Sequence, residues 1–179
     1  MRYLALLRGV NVGGKGMLSM TDLRAYLEKN GFQQVSTYIN SGNVIFESAA
    51  SDASKLAATI RELIQRQFKL DVGVAVFSQP RYAKIIAAAP GWWGKDPDWK
   101  HNFIVLLEPY DIDEIVTTIG TLKPDIEALQ TGDGVLYQSV SWKFFGRSTT
   151  GKLASSPAYK QMTIRNYNTA QKLLTLLNA

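Results

Sequence analysis

RYLALLRGVNVGGKGMLSMTDLRAYLEKNGFQQVSTYINSGNVIFE, residues 2–47, carries the order of elements that decides the fold. RYLALLR is almost continuously apolar, the pattern of a central strand buried on both faces. After a glycine-rich stretch, Ser19-Met20-Thr21-Asp22 has the form of a capping box. Met20, Leu23, Tyr26 and Leu27 follow at helical spacing until Asn30-Gly31 stops the helix. Two β-rich runs, QVSTYIN and NVIFES, flank Ser41-Gly42, so residues 33–47 read as a hairpin with a tight turn.

Outward from there, Leu56, Ile60, Leu63 and Ile64 predict an amphipathic helix over about 52–68, and Val72, Val74 and Val76 alternate as a fourth strand. β-α-β-β-α-β over residues 1–78 is the split β-α-β, ferredoxin-like order. Ser78-Gln79-Pro80 opens a connector helix to about residue 89, and a tryptophan-rich loop runs to 100. The pattern then restarts: HNFIVLLEP as a strand, IDEIVTTIG as a helix, DIEALQ and GVLYQSVSW as two strands. A loop over 143–153 leads to a helix opened by Ser156-Pro157, and a last helix spans about 168–177. The expected architecture is α+β: two ferredoxin-like (split β-α-β) subdomains, 1–78 and 101–179, with antiparallel sheets, helices packed on them, and a connector over 79–100.

The chain has 179 residues, 46% of them apolar, enough for two small cores. With no cysteine and a single histidine, His101, it has no thiol chemistry, disulfide scaffold or multi-histidine metal site, and neither a metal nor a cofactor is expected. A cytoplasmic compartment is the expectation. Arg8 interrupts the first apolar run and no small-residue cleavage site follows, so MRYLALLRGV reads as a strand and not as a leader. No apolar run reaches the ~20 residues of a membrane span, and no membrane partner is expected.

The net charge of +5 is unevenly placed. Residues 91–133 hold nine acidic and three basic side chains, whereas 134–179 hold Lys143, Arg147, Lys152, Lys160, Arg165, Lys172 and no acid. Met1–Thr21 is acid-free as well, with Arg2, Arg8 and Lys15. Were the two acid-free ends to meet, their summed field would attract anions; the alternative is a solvated basic surface.

Gly9-Val-Asn-Val-Gly-Gly-Lys-Gly16 comes close to the phosphate-binding P-loop, but Gly16 stands where a magnesium-holding Ser or Thr is required. A magnesium-dependent NTPase is thereby excluded. What survives is a Gly loop between a central strand and a helix N-terminus, offering backbone N–H groups and Lys15 to an anion. Asn40-Ser41-Gly42-Asn43 places polar groups at the hairpin tip, where Asn and Gly also serve as turn formers. Trp92, Trp93 and Trp99 crowd one loop. Exposed they would suit stacking, and buried they would fill a seam between the halves, the reading preferred here because large aromatics are costly to expose. Lys143–Lys152, KFFGRSTTGK, mixes aromatic, basic and hydroxyl residues that suit a phosphate backbone, and neither it nor NVIFES matches the RNP1 pattern of an RNA-recognition sheet. His101, near Asp96 and Asp98, allows a His–Asp pair, although a lone histidine at a strand edge is more often structural.

Three blocks, LLRGVNVGGKG (6–16), MTDLRAYLEKNGFQQVSTYINSGNVIF (20–46) and YKQMTIRNYNTAQKLL (159–174), together resemble the bacterial family called domain of unknown function 1697. The resemblance implies a small cytoplasmic bacterial protein with two ferredoxin-like subdomains and no established activity. Its signature positions fall on Arg8, Gly9, Asn11, Gly13, Gly14, Lys15, Ser41, Gly42, Asn43, Arg165, Asn166 and Thr169.

The expected function is binding of a phosphate-bearing ligand, a nucleotide or nucleic acid, in a basic cleft between the halves. The candidate ligand-binding residues are Arg8, Asn11, Gly13, Gly14, Lys15, Ser41, Asn43, Arg165 and Asn166. Two other classes stay open: an enzyme acting on a small anionic metabolite, with Lys15 or an Arg stabilising developing charge, and a protein-interaction module using the tryptophan loop.

Overall fold

The computed structural model describes residues 1–11 and 17–179, and for 151, 152 and 154 the backbone alone. The chain forms two compact units, one of residues 1–84 with 172–179 and the other of residues 85–171.

In the first unit, β1 (Arg2–Arg8), α1 (Met20–Lys29), β2 (Gln33–Tyr38), β3 (Asn43–Glu47), α2 (Ala53–Phe68), β4 (Gly73–Ser78) and the start of α3 (Gln79–Ala87) follow in the expected order. The sheet is antiparallel in the order β2-β3-β1-β4. Central β1 is buried on both faces, with Tyr3 to Leu7 at 0–1% exposure, as its unbroken apolar run requires. Tyr3, Ala5 and Leu7 pack with Val44 and Phe46 under Leu23 and Leu27 of α1 and Leu56, Ile60, Leu63 and Ile64 of α2. Each of these aliphatic side chains contributes roughly 1.5–3 kcal/mol on leaving water. Ser19 Oγ accepts from Asp22 N at 3.2 Å and Asp52 Oδ1 from Lys55 N at 3.1 Å, so both helices start where their cap residues stand.

The hairpin turn is longer than the sequence suggests. The ladder ends at Tyr38 opposite Asn43, and residues 39–42 all lie in the turn. Ile39 leaves the strand at φ 48°, a left-handed conformation that apolar alternation gives no hint of.

The second unit contains β5 (Trp99–Leu106), α4 (Ile112–Ile119), β6 (Glu127–Thr131), β7 (Val135–Ser141), β8 (Met162–Asn166) and the first turn of α5 (Tyr167–Asn178), whose remainder belongs to the first unit. Its sheet, β6-β7-β5-β8, repeats the strand order of the first. Here the sequence misleads at one point. Between β7 and β8 stand three short 3-10 turns, Trp142–Arg147, Thr150–Ser155 and Pro157–Gln161, and the helix expected after Ser156-Pro157 is the last of them. β8 itself was not expected from the sequence. It forms because β5 offers it an unpaired edge, along which Asn102–Leu106 pair with Asn166–Met162. Ile104, Leu106, Leu136 and Met162 pack under Ile115 and Ile119 of α4 and under Leu153 and Ala158 of the turns.

Candidate functional site

β1 delivers the chain to the glycine-rich stretch at Arg8, which is half-buried at the strand's end. Gly9 and Asn11 then turn it with φ of 73° and 55°. Gly13, Gly14 and Lys15, three of the expected ligand-binding residues, lie outside the described residues. The chain is described again from Met17, and Leu18 is buried.

The Asn11 side chain closes the base of this loop. Its Nδ2 donates to Leu18 O at 2.8 Å and to Asn40 O at 2.9 Å, and its Oδ1 accepts from Leu18 N at 2.7 Å. One amide therefore joins the loop's entry, its exit and the hairpin turn. A second tie runs from Leu7 N to Gly42 O at 2.8 Å. Gly42 sits at φ 75°, and a Cβ there would stand 2.6 Å from both Leu7 Cβ and Val10 Cγ2, so only glycine fits. The hairpin tip and the Gly loop, separate in sequence, thus share one end of the first sheet.

Asn43 is fully buried, and its Nδ2 donates to Tyr38 O at 2.9 Å and to Ser41 Oγ at 3.0 Å. Asn11, Ser41 and Asn43 therefore stand at one end of the first sheet, a proximity the sequence left open, with these side-chain bonds serving the frame that holds the loop. Met17 and Ile39, 75% and 51% exposed, sit next to the two segments that Asn11 ties.

Arg165 and Asn166 belong to the second unit. Arg165 lies in β8 opposite Phe103 and is buried, with Nη1 donating to Thr163 Oγ1 and Ile164 O, both at 2.9 Å. Asn166 Oδ1 accepts from Thr169 N at 2.8 Å and so caps α5.

His101 meets Asp96 through the backbone: its Nε2 donates to Asp96 O at 2.7 Å, and its Nδ1 shares a hydrogen bond with Ser139 Oγ at 2.6 Å. Ser139 is buried, and the group reads as structural. Trp93 is buried inside the second unit, its Nε1 donating to Asn102 O at 3.0 Å, its ring against Phe103, Tyr137 and Tyr167. Tyr137 donates to Ile85 O at 2.6 Å, and burial, aided by the Asp133 charge, pushes its phenol up to about 12. Among the described residues no cluster of three or more His, Asp or Glu side chains is placed to hold a metal, and no helix is long and apolar enough to cross a membrane.

One charged residue escaped the sequence reading. Glu127 is 1% exposed and accepts four hydrogen bonds. Oε1 takes Lys123 N at 3.0 Å and Thr149 N at 2.9 Å, while Oε2 takes Thr150 N at 2.9 Å and Thr150 Oγ1 at 2.7 Å. Burial alone would raise its carboxyl, but the bonds from Thr150, Thr149 and Lys123 outweigh it and hold the group below the usual glutamate range. Its principal partners lie 22 and 23 residues downstream, so no local pattern reveals them.

Comparing the two units isolates what is particular to the first. The second ties its hairpin to its central strand by the same bond, Leu106 N to Gly134 O at 3.0 Å, with Gly134 at φ 71°. It passes from β5 to α4 in five residues, Leu107–Asp111, whereas the first takes eleven, Gly9–Ser19, from β1 to α1. The shared frame therefore closes without a glycine-rich loop.

The chain belongs to the DUF1697 family, proteins of unknown function, whose model matches residues 1–137. Among solved structures it is similar to the conserved bacterial protein SP0830 from Streptococcus pneumoniae, with 29% identity, 98% of each chain covered and a TM-score of 0.88. No curated protein matches it.

Proposed function

We propose that the protein binds a phosphate-bearing ligand, a nucleotide or a nucleic-acid phosphate, at the Gly loop of the first unit. The observation that carries this reading is the comparison between the units: a frame that closes with five residues in one unit holds an eleven-residue glycine-rich connection in the other. Length and glycine content beyond what a turn needs are the marks of a segment kept for backbone approach to a ligand. The flanking chemistry fits an anion. Arg8 precedes the loop, Lys15 lies within it, the first acid in the chain is Asp22, and α1 begins at its exit. Asn11 and the hairpin turn pre-organise its two ends, which lowers the entropy lost on binding.

Isothermal titration with inorganic phosphate, AMP and ATP tests the reading. Saturable binding is expected that weakens at least tenfold in Arg8→Ala and in Lys15→Ala, with affinity falling as salt rises. Binding indifferent to both substitutions, or no heat with any of the three, refutes it.

A further inference from the structure

The second unit departs from the shared frame elsewhere, in the turn Trp142–Arg147 that replaces the start of a crossover helix, and this departure has its own surface chemistry. Trp142 is 58% exposed, an unusual state for the largest apolar side chain. Cations stand over each ring of the turn. Lys100 Nζ is 5.7 Å from the Trp142 centroid and 4.8 Å from that of Phe145, and Lys143 Nζ and Arg147 Cζ are 5.3 and 5.9 Å from that of Phe144. All four contacts are within cation–π range.

The turn is held from both sides. Trp142 N donates to Asp98 O at 3.0 Å. Buried Ser148 donates to Phe145 O through Oγ at 2.7 Å and N at 3.2 Å, and Lys123 Nζ donates to Arg147 O. Immediately beyond, Glu127 grips Thr149 and Thr150. The backbone that carries the aromatic surface is thus held in place before anything binds.

We propose that Trp142–Arg147 and Lys100 form a stacking platform for single-stranded nucleic acid. A ring with a cation 4.8–5.9 Å from its centroid still offers a face to a base, and the same cations lie where a sugar–phosphate backbone would pass. Charge complementarity favours this occupant, since Lys100, Lys143 and Arg147 stand on the platform and no acid occurs between Gly134 and Ala179; the exposed Asp96 and Asp98, just ahead of β5, limit the basic face on one side. A membrane surface fits less well. Phe144 and Phe145 are half-buried, which leaves a single exposed ring where insertion needs a contiguous apolar face. The proposal rests on residues of the second unit alone and does not depend on the reading of the Gly loop.

Fluorescence anisotropy with a fluorescein-labelled twelve-nucleotide oligo-dT decides it. Trp142→Ala is expected to weaken binding about 5- to 150-fold, the effect of losing one stacked base, while Trp142→Phe stays within about threefold. Lys143→Ala with Arg147→Ala should lower the salt slope by about 1.4, or 0.7 for each lost phosphate contact on a single strand. Because Trp142 is exposed, unchanged thermal unfolding of the variants is expected. Oligonucleotide binding that is absent, that survives Trp142→Ala, or that responds only to Arg8→Ala overturns the proposal; in the last case the Gly loop stands and the platform falls. Sedimentation with phosphatidylserine vesicles that depends on Trp142, without oligonucleotide binding, overturns it in favour of a membrane surface.

Discussion

Replacing Glu127 by Gln should destabilise the second unit far more than a change of one atom suggests. The carboxylate accepts four hydrogen bonds, three from backbone N–H groups, in a site that is 1% exposed. An amide keeps one oxygen and turns an NH₂ toward the rest. If the NH₂ takes the Oε2 position, the Thr150 hydroxyl can rotate to accept, but Thr150 N–H is left facing another donor. If it takes the Oε1 position, both Lys123 N–H and Thr149 N–H are orphaned. One buried amide without an acceptor costs about 1–3 kcal/mol, and the surviving bonds weaken from charged to neutral. A total of roughly 2–4 kcal/mol follows, a large fraction of a domain's 5–15 kcal/mol.

All four tryptophans, Trp92, Trp93, Trp99 and Trp142, lie in the second unit, so tryptophan fluorescence in urea reads that unit alone. At about 2 kcal/mol per molar urea the midpoint should fall by roughly 1–2 M. The pH dependence follows from the sign of the shift. The folded carboxyl lies below its unfolded value of about 4.3, so its stabilisation is fully present above that pH and is lost as pH falls through the folded value. Wild type should therefore lose stability below about pH 4.3, and the Gln variant should lack this component. A Glu127→Gln midpoint within about 0.3 M of wild type, or an acid limb unchanged by the substitution, would refute the four-bond cradle.

Three further outcomes concern the first unit. Gly42→Ala should cost at least about 2 kcal/mol in chemical denaturation followed by circular dichroism, since the new Cβ meets Leu7 and Val10 at 2.6 Å and φ is 75°. Asn11→Ala removes all three ties at the base of the Gly loop and should cost roughly 1–3 kcal/mol, with faster amide exchange at Leu18 as a local readout. Ile39→Asn should stabilise by roughly 0.5–1 kcal/mol, because asparagine tolerates φ 48° and β-branched isoleucine does not; a loss of stability would mean that exposed Ile39 packs in a way its 51% exposure contradicts.

The first half of the chain was legible because its signals are local and agree. RYLALLR alternates with nothing and is buried on both faces, and Ser19 and Asp52 cap the helices that the apolar spacing predicts. Apart from the last helix, expected over about 168–177 and found as α5, the second half was legible only as far as β7. Beyond it the structure depends on distant partners: β8 on the free edge of β5, and the turns of 142–155 on Glu127. The candidate site shows the same division. That Asn11, Ser41, Gly42 and Asn43 are polar or turn-forming positions was legible, but not that the two segments meet, that the Asn43 amide is buried or that Asn11 bonds Leu18 and Asn40. A side-chain amide at a turn looks the same in sequence whether it faces a ligand or a carbonyl.

The polar positions that single out this chain therefore divide by what their side chains touch. Asn11, Asn43, Asn166 and buried Arg165 bond to the backbone or to a neighbouring hydroxyl, which is what a frame needs if it is to hold irregular segments in one conformation. The two units share that frame down to the glycine carbonyl that meets the central strand, and each breaks it once, at Gly9–Ser19 in one and at Trp142–Gln161 in the other. Packing explains the frame but gives no reason for either break, since each unit shows the other's segment to be dispensable for the same sheet. Binding is a property to seek at such breaks, and the chemistry differs between them: backbone amides and two cations in the first, ring faces and three cations in the second. Substitutions at Arg8 and Trp142 should accordingly act on different ligand features, phosphate in one case and base in the other.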